Sequence, residues 1–250
     1  MSGHSHWSTI KRKKGAADAK RGKVFSKCAK AITVAARMGG GDPDMNLRLR
    51  YAIDEARSAN MPGTNIQRAI KKGTGELDGG KQIEEVLYEG YGPGGVAILA
   101  DAMTDNRNRT SSDVGKLFER HGGNLGQPGC VAWMFSQKGV ITVTGFDDEE
   151  QLMDVALASG AEDLNQTDDG FEVLCAPDAF EAAKKALTEA GIPIERAEVS
   201  QVPQNYISLG ENDARKVLAL LEGLEDHDDV QKVHSNFDVA PEVLEKLQSG

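Results

Sequence analysis

Between Lys11 and Lys30 the chain carries Lys11, Arg12, Lys13, Lys14, Lys20, Arg21, Lys23, Lys27 and Lys30, with Asp18 the single acid among them. Clustered ammonium and guanidinium groups do one kind of chemistry well. They hold phosphate through charge and hydrogen bonds, releasing counterions as they do so. A second polar cluster is Asp105-Asn106-Arg107-Asn108-Arg109-Thr110. As an extended segment it would place Arg107 and Arg109 on one side and the two asparagines on the other, a pair able to clamp phosphate or splay RNA bases. Its plainer reading is structural, with Asn satisfying loop backbone and Arg pairing with nearby acids. The residues leave both readings open.

Other patterns carry less. His4 and His6 form an HxH pair without a third ligand at suitable spacing, so no metal is expected. Gly90-Tyr91-Gly92-Pro93-Gly94-Gly95 matches GxGxxG by letter, but a β-branched, apolar segment follows where a dinucleotide site needs a helix. It reads as a hairpin connection. No GxxxxGK[ST] is present, and no nucleophile, base and oxyanion-holding turn occur together. The expectation is a protein that is not an enzyme, with no cofactor and no small-molecule substrate. Cys28, Cys130 and Cys175 are odd in number and far apart, which reads as three reduced thiols.

The lysines need a scaffold. Val24, Cys28, Ala31, Ile32 and Ala35 recur at helical spacing, predicting a helix over about 16–38. Lys20, Lys23, Lys27, Lys30 and Arg37 then share the opposite face. Gly39-Gly40-Gly41 stops this helix, and Asp42-Pro43 reads as the cap and first-turn proline of the next. That second helix turns Leu49, Ala52, Ile53 and Ala56 inward; a third after Thr64 buries Ile66, Ala69 and Ile70 and closes at Gly73. Strands are expected near 84–88, 95–103 and 130–135, with a helix from about Ser111 capped by Thr110. Residues 140–202 then read βαββαβ, the split arrangement of ferredoxin-like folds. The helix at 213–224 and strand at 230–237 would complete the earlier ββαβ. The expected fold is α+β: a small N-terminal three-helix domain followed by two ferredoxin-like α/β sandwich domains, the third inserted in the second. The expected boundaries are 1–75, then 81–136 plus 208–242, with 137–207 inserted.

Charge divides the same way. The net charge of −10 conceals 16 Lys and Arg against 5 Asp and Glu in residues 1–75, a balance of +11, and 13 against 34 in the rest, a balance of −21. A polyanion-binding module on an acidic body fits this asymmetry. No apolar run approaches the roughly 18 residues that cross a bilayer, and the first residues lack a secretory signal, so no membrane partner is expected. No reading helix bearing Arg, Asn and Gln and no dimerisation zipper stand out, which leans the expected target toward rRNA or tRNA rather than promoter DNA. A monomer is expected.

Several motifs carry a resemblance: Gly3-His4-Ser5-x-Trp7, Asp18-Ala19-Lys20-Arg21-Gly22-Lys23, Gly39-Gly40-Gly41-Asp42-Pro43, Tyr88 to Gly95, Asp105 to Thr110 and Gly122-Gly123-Asn124-Leu125-Gly126. Together they strongly resemble the YebC family, whose mitochondrial relatives are translational activators of cytochrome oxidase. The resemblance implies three domains, the last inserted in the second. It also implies a regulator of transcription that binds promoter DNA, or a ribosome-associated translation factor that meets rRNA or tRNA. Members commonly carry Lys where this chain has His6, which removes a charge from that motif. Mitochondrial members have a presequence ahead of it; here it starts at Gly3, and a cytoplasmic, bacterial-type protein is expected. The expected function is nucleic-acid binding through the nine basic residues of 11–30, with Arg107 and Arg109 as a second set. The alternative is a protein-interaction module without nucleic-acid contact.

Overall fold

Glycines and short polar residues cut the first third of the chain into three helices. The computed structural model describes residues 19–77, 82–167, 170–240, 242, 243, 246 and 247, with the backbone alone for 19–21. Helix α1 (Ala19–Gly39) ends at Gly40, which takes a left-handed φ of 85° that glycine adopts at little cost. Helix α2 (Leu47–Ser58) begins later than Asp42-Pro43 would put it. Asn46 is its cap, accepting from the Leu49 amide at 3.1 Å, while Asp42 closes a local turn by accepting from the Asp44 amide. Helix α3 (Gly63–Thr74) follows a four-residue turn and ends at Gly75. Cys28, Ile32, Ala35 and Ala36 of α1 pack against Leu49, Ile53, Ile66 and Ile70. Val24, expected inward, is 40% exposed, because it lies outside the three-helix core and lines an open cleft beside Tyr51 and Glu55 of α2.

The next strands alternate sides as a two-faced sheet requires. Strands β1 (Glu84–Tyr91) and β2 (Ala97–Thr104) form an antiparallel hairpin around the turn at Pro93–Gly95. Helix α4 (Arg107–Arg120) leads to the two-residue strand β3 (Asn124–Leu125). Of residues 130–135, expected as a strand, 130–134 instead form a loop and the 3-10 turn Ala132–Met134, and only Phe135 is extended, as the start of the following strand. After the inserted region come β8 (Ile207–Leu209), α7 (Glu211–Glu225), β9 (Val230–Ser235) and β10 (Phe237–Val239). The sheet order is β3-β1-β2-β9, so Val230–Ser235 returns to lie beside a strand over a hundred residues earlier. Ile98, Ala100 and Ala102 face α4 and α7; Ala97 and Leu99 face Val131 and Phe135 on the other side.

Between these elements the chain builds a second sheet from β4 (Phe135–Thr144), β5 (Ala161–Thr167), β6 (Gly170–Cys175) and β7 (Ile194–Pro203). Their antiparallel order, β5-β6-β4-β7, is that of the split βαββαβ unit. Helices α5 (Glu149–Ala158) and α6 (Phe180–Glu189) cover it through Leu152, Phe180 and Leu187. The fold is thus α+β, a helical region followed by two antiparallel-sheet domains. Helix α2 touches both sheet domains, the first at a strand and the second at helix α6. Arg48 pairs with Glu85 of β1, and Tyr51 donates to Glu181 at 2.5 Å while meeting Phe180 edge-on at 6.1 Å.

Candidate nucleic-acid interface

Sequence periodicity puts the α1 lysines on one face, and the structure shows what that face meets. Lys23 donates to the Asp226 carbonyl at 3.0 Å, Lys27 to the Glu225 carbonyl at 2.5 Å and Lys30 to the Asp228 carbonyl at 3.0 Å. These oxygens belong to the end of α7 and the turn after it. A helix C-terminus leaves four carbonyls without intrahelical donors and carries partial negative charge, so ammonium groups suit it. Three predicted phosphate contacts are therefore engaged within the chain. Lys20 and Arg21 continue α1 toward its start, and Lys11, Arg12, Lys13 and Lys14 lie outside the described residues.

Asp229 anchors this contact. Its side chain, 5% exposed, accepts from Lys30 at 2.5 Å, Arg109 at 2.7 Å, Thr110 at 2.8 Å and Thr104 at 3.3 Å. Burial opposes its ionisation, but the hydrogen bonds from Lys30, Arg109 and Thr110 outweigh that and hold the carboxyl well below the usual range. Residues 105–110 are accordingly not the extended segment of the phosphate-clamp reading. Asn106 caps α4 by accepting from the Arg109 amide at 3.1 Å, so Arg107 and Arg109 lie in the first helical turn rather than side by side on a strand. Arg107 is exposed. Arg109 reaches back to Asp105 and across to Asp229, which is the structural role of the plainer reading.

A third basic group does not stand out from sequence spacing. On α3, Thr64, Asn65, Gln67, Arg68, Lys71 and Lys72 are exposed opposite buried Ile66, Ala69 and Ile70. No acid occurs within this helix. Among the described residues, no hydrogen bond or ion pair engages the Arg68, Lys71 or Lys72 side chain. A signal exists in the sequence: Thr64, Arg68 and Lys71 stand at i, i+4 and i+7, one outward row. The helix is fixed from behind by α1. Thr33 donates its hydroxyl to the Ala69 carbonyl at 3.2 Å, and a Cβ at Gly73 would lie 2.5 Å from the Thr33 carbonyl oxygen.

Two other groupings invite chemistry. Ser200 Oγ lies 3.4 Å from His234 Nδ1, whose Nε2 lies 3.1 Å from Asp101 Oδ2, a Ser-His-Asp order. Ser200 and His234 are 4% and 5% exposed, so the hydroxyl has no open approach and the row ties β7 to β9 and β2. A cleft of about 1970 Å³ lies between the helices and both sheets. Lys23, Arg48 and Arg196 face it alongside Glu85, Asp101 and Glu222, so neither sign dominates. Among the described residues no three His, Cys, Asp or Glu side chains gather as a metal site would need, and no helix is long and apolar enough to cross a membrane.

Both parts of the chain match known families of sequence. Residues 5–76 match the model described as "TACO1/YebC protein N-terminal domain", and residues 83–237 match "TACO1/YebC second and third domain". A "probable transcriptional regulatory protein" of Geobacter sulfurreducens is 54% identical over 247 residues, covering 99% of this chain and 100% of its own. A protein of Desulfotalea psychrophila with the same description is 56% identical over 249 residues, covering 99% of each. The crystal structure of a conserved hypothetical protein from Aquifex aeolicus superposes with a TM-score of 0.80 at 48% identity, over 89% of this chain and 92% of that one. The chain belongs to the TACO1/YebC family.

Proposed function

We propose that the chain is a nucleic-acid-binding regulator of gene expression and that its N-terminal helical module grips the phosphate backbone. One observation carries this reading: a +11 module of 75 residues joined to a −21 body. A phosphate backbone is drawn to the first and repelled by the second, so the charge pattern orients docking as well as favouring it. The names of the relatives, probable transcriptional regulatory proteins, agree with a role in expression. The proposed contacts are Lys11, Arg12, Lys13, Lys14, Lys20 and Arg21. Lys23, Lys27 and Lys30 reach a phosphate only by leaving the end of α7. Arg107 is an exposed secondary contact, whereas Arg109 would first have to give up Asp229. No catalytic role is assigned to any residue.

Replacing Lys11, Arg12, Lys13 and Lys14 by Gln should weaken binding of a 20-base-pair duplex. The slope of log affinity against log salt should flatten by about 0.9 for each phosphate no longer neutralised. An unchanged slope would remove these residues from the interface and favour the protein-interaction alternative.

A further inference from the structure

We propose that α2, the turn after it and α3 form a helix-turn-helix, with α3 as the helix that enters the major groove of B-form DNA. The proposal rests on the nucleic-acid reading above and adds the groove-reading surface and the duplex type.

Three observations carry it. The turn is short, residues 59–62, and Asn60 within it holds a φ of 61°, the one positive φ outside glycine among the described residues. A left-handed residue at this place is what lets a chain leave one helix and start another within four residues. Met61, 7% exposed, pins the turn into the core shared with α1, so the pair is held as a unit. The outward side of α3 is the second observation. Its first half offers Thr64, Asn65, Gln67 and Arg68, side chains whose donors and acceptors match base edges. Lys71 and Lys72 follow one turn on, where a helix lying in a groove meets the phosphate walls. The third is charge: this side has three cations, no acid within the helix and no partner among the described residues. Unlike the α1 lysines, it is available without any domain moving. Pro62 stands at the N-cap and no side chain accepts from the first turn; the Asn65 amide donates to the Pro62 carbonyl at 2.9 Å, which leaves the Gly63 and Thr64 amides to water or a phosphate oxygen.

Geometry selects the duplex. The major groove of B-DNA is about 12 Å wide and admits an α-helix, whereas that of A-form RNA is too deep and narrow for side chains to read. The side chains of α3 therefore discriminate sequence on DNA and have no equivalent use on duplex RNA.

The test begins by selecting 20-base-pair duplexes from a random pool with the full chain. Affinity is then measured for the enriched duplex, a scrambled one and an RNA duplex of the enriched sequence. Arg68→Ala should reduce preference for the enriched over the scrambled duplex by about 5- to 150-fold, leaving scrambled binding within a few-fold. Lys72→Gln should weaken both DNAs equally and flatten the salt slope by about 0.9. Both residues are exposed, and circular dichroism of each variant confirms that it remains folded. Equal weakening on both duplexes with Arg68→Ala would overturn base reading by α3, as would tighter binding of the RNA duplex or no enrichment at all. If enrichment fails but the Lys11–Lys14 substitutions still flatten the salt slope, only this proposal falls. If the wild-type chain binds neither DNA nor RNA, the nucleic-acid reading falls with it.

Discussion

Asp229→Asn tests how the N-terminal helix is held to the α/β body. The substitution preserves shape and removes charge. One amide oxygen can still accept from Arg109 and Thr110, as Oδ2 does now at 2.7 and 2.8 Å. The amide nitrogen then faces Lys30, donor against donor, which breaks that 2.5 Å bond. A hydrogen bond to a charged group contributes about 1.5–3 kcal/mol, and making the others neutral roughly halves them. Lys30 and Arg109 keep 21% and 48% of their side-chain surface in water, so both can rehydrate and the upper end is excluded. The expected cost at pH 7 is about 2–3 kcal/mol, read as a lower urea midpoint of the first unfolding transition at unchanged slope. The sign of the pH dependence follows from the carboxyl. Its folded value lies below the unfolded one of about 3.9, so its stabilisation is complete above that value and is lost as pH falls toward the folded value. The gap between wild type and variant should therefore be flat from pH 7 to 5 and narrow below about 4, by roughly 1 kcal/mol at pH 3. A gap under about 0.5 kcal/mol at pH 7, or one that does not narrow in acid, would refute this account of Asp229.

The same reasoning gives further expected outcomes. Glu89, buried, accepts from the Gly129, Val131 and Ala132 amides at 2.6, 2.9 and 2.8 Å; burial opposes its charge, but these bonds keep the carboxyl below its usual range. Glu89→Gln should cost about 2–3 kcal/mol and, in a Trp7→Phe background, change the emission of exposed Trp133 next to that loop. Gly73→Ala places a methyl 2.5 Å from the Thr33 carbonyl oxygen and should destabilise by about 1–3 kcal/mol, whereas Gly22→Ala in α1 meets nothing within 4 Å and should stabilise by about 0.5–1 kcal/mol. Thermal unfolding of the two variants checks both signs. Burial raises the Cys28 thiol to about 11, so at pH 8 a thiol reagent should label half-buried Cys130 well before Cys28, read by peptide mass spectrometry.

Much of the fold is legible in the sequence because it depends on local periodicity. The three first helices, the βαββαβ order of 135–203 and the return of Val230–Ser235 all follow from apolar spacing and from the count of unpaired elements. The misses are of another kind. Asn124–Leu125 is a strand of two residues, too short to show alternation, and β8 and β10 form a parallel pair that no hairpin turn announces. Asn106 rather than Thr110 caps α4, because both are capping residues and spacing alone does not rank them. The site is legible in composition but not in direction. Periodicity groups Lys23, Lys27 and Lys30 on one side of α1; it contains nothing about α7, whose carbonyls lie nearly 200 residues away and occupy that side. The α3 residues escape notice for the converse reason. Arg68, Lys71 and Lys72 form no dense run; the spacing of Ile66, Ala69 and Ile70 turns them outward, but only the fold shows that, among the described residues, no other element covers them.

The central claim is that nucleic acid binds the N-terminal helical module and not the acidic body. Crosslinking the full-length chain to bound nucleic acid with ultraviolet light, followed by mass spectrometry of the attached peptides, tests it most directly. Adducts should fall within residues 1–75, in the basic stretch of 11–30 and on the α3 peptide containing Arg68. Adducts confined to residues 82–240 would contradict the account.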